Sequence, residues 1–286
     1  MDMQLWITNQ QRHRNTPSIT KFQSPYSVTA VMESLEDMLE KFAPISLKEM
    51  DEVALLNRVD RKFILSRDQL FNLVKNLQSS YRILTIHSQK LNHYHTVYFD
   101  TPDFALFLMH VNDQAERYKI RYREYLDTCE SYIEVKHKTR KERTVKIRIP
   151  ALLPYTNTIP EVNAWLSEAS PYDPSVLEPK LSNSFTRVTL VSKTGLERVT
   201  LDSNLLFFTS TRIARLPNLA VAEVKTDSSH SSSPILEELR RMRIQTQGFS
   251  KYCVGVALLY DGVKKNAMKP KLKMLEKIIP GDLKND

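Results

Sequence analysis

Four short segments alternate cations or carboxylates with other residues at every second position: Lys119-Ile120-Arg121-Tyr122-Arg123, Glu134-Val135-Lys136-His137-Lys138, Lys146-Ile147-Arg148 and Glu223-Val224-Lys225. A β-strand sends successive side chains to opposite faces, so residues i, i+2 and i+4 line one surface. Strands of this kind laid side by side would pave that surface with ammonium and guanidinium groups. Continuing the same phase into neighbouring segments adds Arg58, Lys62, Arg187, Arg198 and Lys251. The full set is thirteen cations, against four carboxylates on the same phase: Asp60, Glu134, Asp202 and Glu223. That excess does not neutralise itself, and burying unpaired charge costs several kcal/mol per group. A wet, basic cavity follows, one that takes a polyanion. Its chemistry would be phosphate binding or phosphoryl transfer, which depends mainly on positioning and charge stabilisation. Arginine suits the task because its planar fork holds two phosphate oxygens at once.

Holding those residues in place requires many strands. The pattern predicts strands at 58–65, 82–88, 93–99, 116–124, 130–138 and 143–149, then near 181–192, 196–202, 204–210 and 218–226. It predicts helices over 31–43, 67–77, 103–110, 161–169, 234–243 and 250–261, and a capping box at Ser46–Glu49. Asp100-Thr101-Pro102-Asp103 reads as a turn leading into a helix N-cap. The proline-rich stretch 150–180 reads as a looped excursion. The expected fold class is α+β: a closed antiparallel eight-stranded β-barrel with helices packed outside. Three regions are expected: an N-terminal arm and helix (1–44), the barrel domain (45–262) and a basic tail (263–286), whose lysines read as solvated.

Bulk composition agrees with a folded soluble protein. The chain has 286 residues, is 41% hydrophobic and 26% charged, and carries a net charge of +8. Such a charge favours anionic partners without naming them. Cys129 and Cys253 lie too far apart to suggest a disulfide framework or metal cluster. No run approaches the roughly 18 apolar residues of a membrane span, and no signal peptide is evident. A cytoplasmic location is expected. His93 and His95 lack a third ligand at sensible spacing and read as polar strand residues. Tyr81, Tyr94, Tyr98, Tyr122 and Tyr125 read as wall or core. Asp202 reads as the cap of the turn before Ser203-Asn204, and a bland reading of Glu223 is a pair with Lys225 or a nearby arginine.

In order along the chain stand NRVDRKFIL (57–65), YFDTPDF (98–104), KIRYREY (119–125), EVKHK (134–138), SFTR (184–187), ERVTLDSNL (197–205), AEVK (222–225) and FSKY (249–252). This succession resembles the VTC domain, the polyphosphate-polymerase branch of the triphosphate tunnel metalloenzymes, or CYTH-like proteins. With no SPX domain or membrane helices in the sequence, the resemblance is to the bacterial stand-alone form. It implies an eight-stranded tunnel that binds a triphosphate through inward cations. It assigns Lys62, the Arg121–Arg123 pair, Lys136, Arg187, Arg198 and Lys251 as catalytic cations, and Glu223 as the ligand of a Mn²⁺ or Mg²⁺ ion. Arg58, Lys119, Lys138, Lys146, Arg148 and Lys225 join them as further substrate contacts. Where the family often has a second lysine, this chain has Gly248.

The hydrolytic branch carries Glu-x-Glu-x-Lys on its first strand; here the same spacing reads Arg58-Val59-Asp60-Arg61-Lys62. One carboxylate has become a cation and the other is shortened. That change harms water activation more than transfer to a phosphate, whose oxygens are already anionic. The implied activity is transfer of the γ-phosphoryl group of ATP to a growing polyphosphate chain, so the expected partners are ATP and inorganic polyphosphate rather than nucleic acid. The alternatives are a tripolyphosphatase or nucleoside triphosphatase of the same fold, and a non-catalytic polyphosphate- or nucleotide-binding module.

Overall fold

A computed structural model describes residues 34–52, 58–141, 143–151, 159–227 and 233–283, with residues 51, 52 and 58 described by backbone alone. The chain opens with α1 (Leu35–Glu40), β1 (Ala43–Ile45), α2 (Leu47–Glu52), β2 (Arg58–Ser66), α3 (Arg67–Leu77), β3 (Tyr81–Leu84) and β4 (Asn92–Asp100). Then come α4 (Ala105–Val111), β5 (Arg117–Tyr125), β6 (Glu130–Lys138), β7 (Thr144–Pro150), α5 (Pro160–Ala169), β8 (Glu178–Ser192) and β9 (Glu197–Phe208). The last elements are β10 (Ile213–Leu216), β11 (Leu219–Asp227), α6 (Pro234–Arg241), α7 (Lys251–Leu259) and α8 (Lys269–Ile278).

Local chemistry sets the boundaries. Ser66 ends β2 and starts α3 by a capping box with Gln69. The expected box at Ser46 is formed, its backbone N–H donating to Glu49 Oε2 at 2.9 Å. The strand expected over 82–88 stops at Leu84, because His87 and Ser88 adopt positive φ in a turn closed by Ile86 and Gln89. The strands expected at 196–202 and 204–210 are one strand, β9. It passes Asn204 at φ +53°, a conformation asparagine tolerates, where its register against β8 shifts. At the start of α4, the buried Asp100 carboxylate accepts from the backbone N–H of Leu106 and Phe107, each at 2.8 Å, and from the Tyr252 hydroxyl. That carboxylate satisfies orphan donors of α4 and ties it to α7.

Eight strands follow one path, β2-β11-β9-β8-β4-β5-β6-β7, and β1, β3 and β10 extend the same sheet. The main path is antiparallel; β1 pairs parallel with β3. This corrects the expected closed eight-stranded barrel: β2 and β7 end the path and do not pair with each other among the described residues. The outer edge of β2 is instead met by the segment before α7. Phe63 bridges Thr246, and the Gln247 N–H donates to the Lys62 carbonyl at 2.7 Å. An edge already hydrogen-bonded cannot receive another strand.

The sheet is curled all the same. Lys136 on β6 feels the charges of Lys62, Glu223 and Asp60 on β2 and β11 across the concave side. On the convex side, α3 and α6 cover Phe63, Leu65, Val188, Leu201 and Val224, while α5 covers Ile120, Tyr122, Ile133 and Val135. One end of the concave face is filled by α7, buried from Tyr252 to Leu259 against Tyr98, Leu181 and Phe207. A helix apolar all round belongs inside a core. Residues 263–286, expected as a basic tail, include α8, whose Leu275 is buried in the same cluster. No helix among the described residues is long and apolar enough to cross a membrane.

Gly255 is where α7 meets the sheet most closely: a Cβ there would lie 2.5 Å from Leu181 Cδ2 and 2.8 Å from Phe207 Cδ1. Gly255→Ala is therefore expected to lower stability by ~1–3 kcal/mol through overpacking, despite alanine's better helix propensity. Thermal denaturation checks this, and an unchanged or raised Tm refutes it.

Candidate phosphate-binding site

The register carries the alternation onto one surface. Glu223 faces Lys62 on β2 and Thr200 on β9, and Lys225 faces Asp60 and Arg198. Asp202 faces Arg187, which faces Asn92. Arg121 faces Tyr98 and Glu134, and Arg123 faces Thr96 and Tyr132. Lys119 faces Lys136, which faces Lys146; Glu134 faces Arg148, and Lys138 lies opposite Arg117. Lys251 opens α7 and meets the same face through Asp202. The structure thus brings the expected residues to one concave surface. For Arg58 only the backbone, opposite Asp227, is described.

Three carboxylates organise the cations, each shared by two. Asp202 is held by Arg187, with Nε at 2.6 Å and a second nitrogen at 2.8 Å, and by the Lys251 ammonium. Glu134 takes Arg121 at 2.6–2.7 Å and Lys146 at 2.5 Å. Glu223 lies 3.5 Å from Lys62 and 3.4 Å from Lys225. Burial by itself raises the pKa of all three carboxyls, and the surrounding cations outweigh it. Glu134 and Glu223 are held at about 2, and Asp202 is driven far down, Arg187 and Lys251 acting on it together.

The three hubs differ. The side chains of Glu134 and Asp202 are only 1% and 4% exposed and are gripped at short range, whereas Glu223 is 19% exposed with long contacts. Of the three, Glu223 is the most open to a ligand. Asp202, read from sequence as a turn cap, is instead the buried anchor of two cations inside β9. Its partners, Arg187 and Lys251, are distant in sequence, and a local turn signal does not reveal them.

Aromatic rings complete the wall. Tyr94 and Phe185 stack at 5.1 Å, nearly parallel. Arg187 lies 5.1 Å and Arg123 5.6 Å from the Tyr94 centroid, and Lys251 lies 4.1 Å from that of Phe185. Such rings carry cations where water is excluded. Arg123, 7% exposed, also donates to Thr96 Oγ1 at 3.3 Å. Lys119 and Lys136 show no ion pair with a carboxylate among the described residues, and burial pulls both pKa values down, that of Lys119 to about 8. Arg148 stands at the exposed rim over Tyr132, at 4.1 Å. His93 and His95 lie next to Asp127 and Glu124, at 3.1 and 3.4 Å. Sequence reasoning missed two buried polar groups on the same face. The Asn92 amide and the Thr200 hydroxyl are 2% and 6% exposed and have no hydrogen-bond partner among the described residues. Their only signal was that they share the phase of Arg187 and Glu223.

Residues 57–260 match the VTC domain. The chain belongs to the VTC domain family. Solved structures similar to this VTC-domain chain include a proposed adenylate cyclase from Bacillus halodurans, 16% identical with a TM-score of 0.46, covering 68% of this chain and 94% of that one. A proposed adenylyl cyclase from Hippeastrum, described as having a dominant triphosphatase activity, is 15% identical with a TM-score of 0.44. The match covers 72% of this chain and 99% of that one. A search of curated proteins found no match.

Lys119, Lys146 and Lys251 are each lowered to about 8, burial being the leading cause. They are charged below that pH and lose charge above it, so tripolyphosphate affinity should fall steeply between about pH 7 and 9. Stability of the ligand-free protein should move the other way. Between 8 and the ordinary lysine value of 10.5, the unfolded chain binds more protons than the folded one, so stability rises with pH across that window. Calorimetric titration at several pH values checks the first trend, and a flat affinity would refute it.

Proposed function

We propose that this protein is a metal-dependent polyphosphate polymerase, transferring the γ-phosphoryl group of ATP to a polyphosphate chain. The observation that carries this reading is that each buried carboxylate of the concave face is shared by two cations. Such carboxylates are poor bases for activating water. An acceptor phosphate needs no base, because its terminal oxygen is already anionic. Family membership favours the same chemistry, and the cation Arg58 where hydrolytic relatives keep a glutamate tilts it toward transfer.

In this mechanism Lys62, Arg121, Arg123, Lys136, Arg187, Arg198 and Lys251 hold the triphosphate and the transferring group. Lys119, Lys138, Lys146, Arg148 and Lys225 extend the basic surface. An acceptor oxygen forms a bond to the γ-phosphorus as the bond from that phosphorus to the β-bridging oxygen breaks, and ADP departs with the electron pair. Arg123 and Arg187, backed by the Tyr94–Phe185 stack, are pre-set to meet charge on the equatorial oxygens.

No cluster of three His, Cys, Asp or Glu residues able to cage a metal exists among the described residues. Mg²⁺ and its relatives do not need one, since one carboxylate, substrate phosphates and water suffice. Glu223, ionised, partly accessible and loosely paired, fits that role. A Mn²⁺ or Mg²⁺ held there would neutralise charge on the phosphoryl oxygens.

Incubation with ATP and either Mn²⁺ or Mg²⁺, followed by gel analysis, should yield long polyphosphate and ADP. Glu223→Gln should reduce turnover by at least about 100-fold in a protein that still folds, as a single cooperative melting transition would show. Release of free phosphate alone would convert the assignment to a triphosphatase. Metal-independent binding without turnover would leave a binding module.

A further inference from the structure

One mouth of the concave face has a wall that the strand pattern does not supply. A cavity of about 680 Å³ opens there between β2, β5, the start of α7 and α8. Its lining carries five cations, Arg61 and Lys62 from β2, Arg117 and Lys119 from β5, and Lys271 from α8. Asp60 is the one lining carboxylate among the described residues. Lys271 lies beyond the stretch that matches the VTC domain.

Its position is set from the sheet. The Lys271 ammonium donates to Gln247 Oε1 at 3.1 Å, and the Gln247 backbone N–H is fixed to the Lys62 carbonyl at 2.7 Å. A lysine on a separate helix is thus tethered, through one residue, to the strand bearing Lys62. Among the described residues Lys271 has a neutral amide as its acceptor and no carboxylate within ion-pair range. Burial accordingly draws its pKa down. A half-buried ammonium without an anion gains when one arrives. Beside it the mouth is open: a Cβ at Gly248 would meet nothing within 4 Å.

We propose that Lys271 is a phosphate-binding residue at this mouth. It would hold the part of a polyphosphate chain that runs beyond the three phosphates on the strands, and so favour long chains over tripolyphosphate. The proposal rests on the reading of the concave face as a triphosphate site and adds a chain-length preference to it. The two are separable by experiment.

Calorimetric titrations of the full chain with tripolyphosphate, long-chain polyphosphate, ATP and ADP are compared for wild type, Lys271→Gln, Lys271→Arg and Lys273→Gln. Lys273 is an exposed lysine on the same helix. Lys271→Gln should weaken long-chain binding by ~5-fold and flatten its salt dependence, leaving tripolyphosphate affinity unchanged. Lys271→Arg should restore long-chain binding, and Lys273→Gln should change neither. Equal weakening of both ligands, or of neither, overturns the proposal. Weakening confined to ATP and ADP would assign the cavity to the nucleoside and also overturn it. Failure of the wild type to bind tripolyphosphate would overturn the underlying site reading, and the proposal with it.

Discussion

The structure depends on an unequal sharing of charge: three carboxylates, each serving two cations, on a surface that holds more cations still. Equal pairing would make an ion-paired core with nothing left for a ligand. With no carboxylates, guanidinium and ammonium groups a few ångströms apart would repel each other and lose their orientation. Sharing gives fixed geometry and a surplus of positive charge together. Asp202 and Glu134 buy the geometry, being nearly inaccessible and gripped at short range. Glu223, at longer range and partly open to solvent, keeps a weaker hold and more freedom to exchange partners.

The apolar architecture exists to make this arrangement tolerable. Paired buried charges are rarely stabilising in themselves, and breaking such a pair is costly. Stability therefore comes from the layers behind: α3 and α6 against one flank, α5 against the other, and α7 at one end of the concave side. The same rings that pack against α7 also support the cations. Phe185 belongs to that core while lying under Lys251 and beside Arg187. Core and site share side chains, so the first turn of α7 is set by packing and by charge at once.

Much of this was legible in the sequence because a period of two is unambiguous once several strands share it. Residues on β5, β6, β7 and β11 fell on the expected face. What escaped had physical reasons. Closure of the sheet turns on what occupies the outer edge of β2, and the answer is the short aperiodic segment at Thr246 and Gln247. Asp202 sits in an Asp-Ser-Asn run that looks like a turn, while its partners come from β8 and α7. The lysines of α8 suggested a solvated tail, yet Met268, Leu275 and Ile279 are buried and Leu272 packs beside them. There, charge masked an amphipathic helix. Thr200 and Asn92 are ordinary strand residues until the register places them beside Glu223 and Arg187.

A curled sheet whose ends do not pair has a seam, and the seam changes what encloses a ligand. Among the described residues no ladder hydrogen bond joins β2 to β7. Across the gap, Lys136 feels Lys62, and Lys119 feels both. Facing ammonium groups repel one another, and under the proposed function a chain of phosphates between them would attract both flanks. The polymer would then itself be the clasp, and a longer one would close more of the seam. Retention along such a trough would scale with the charge lying in it, not with threading through a ring.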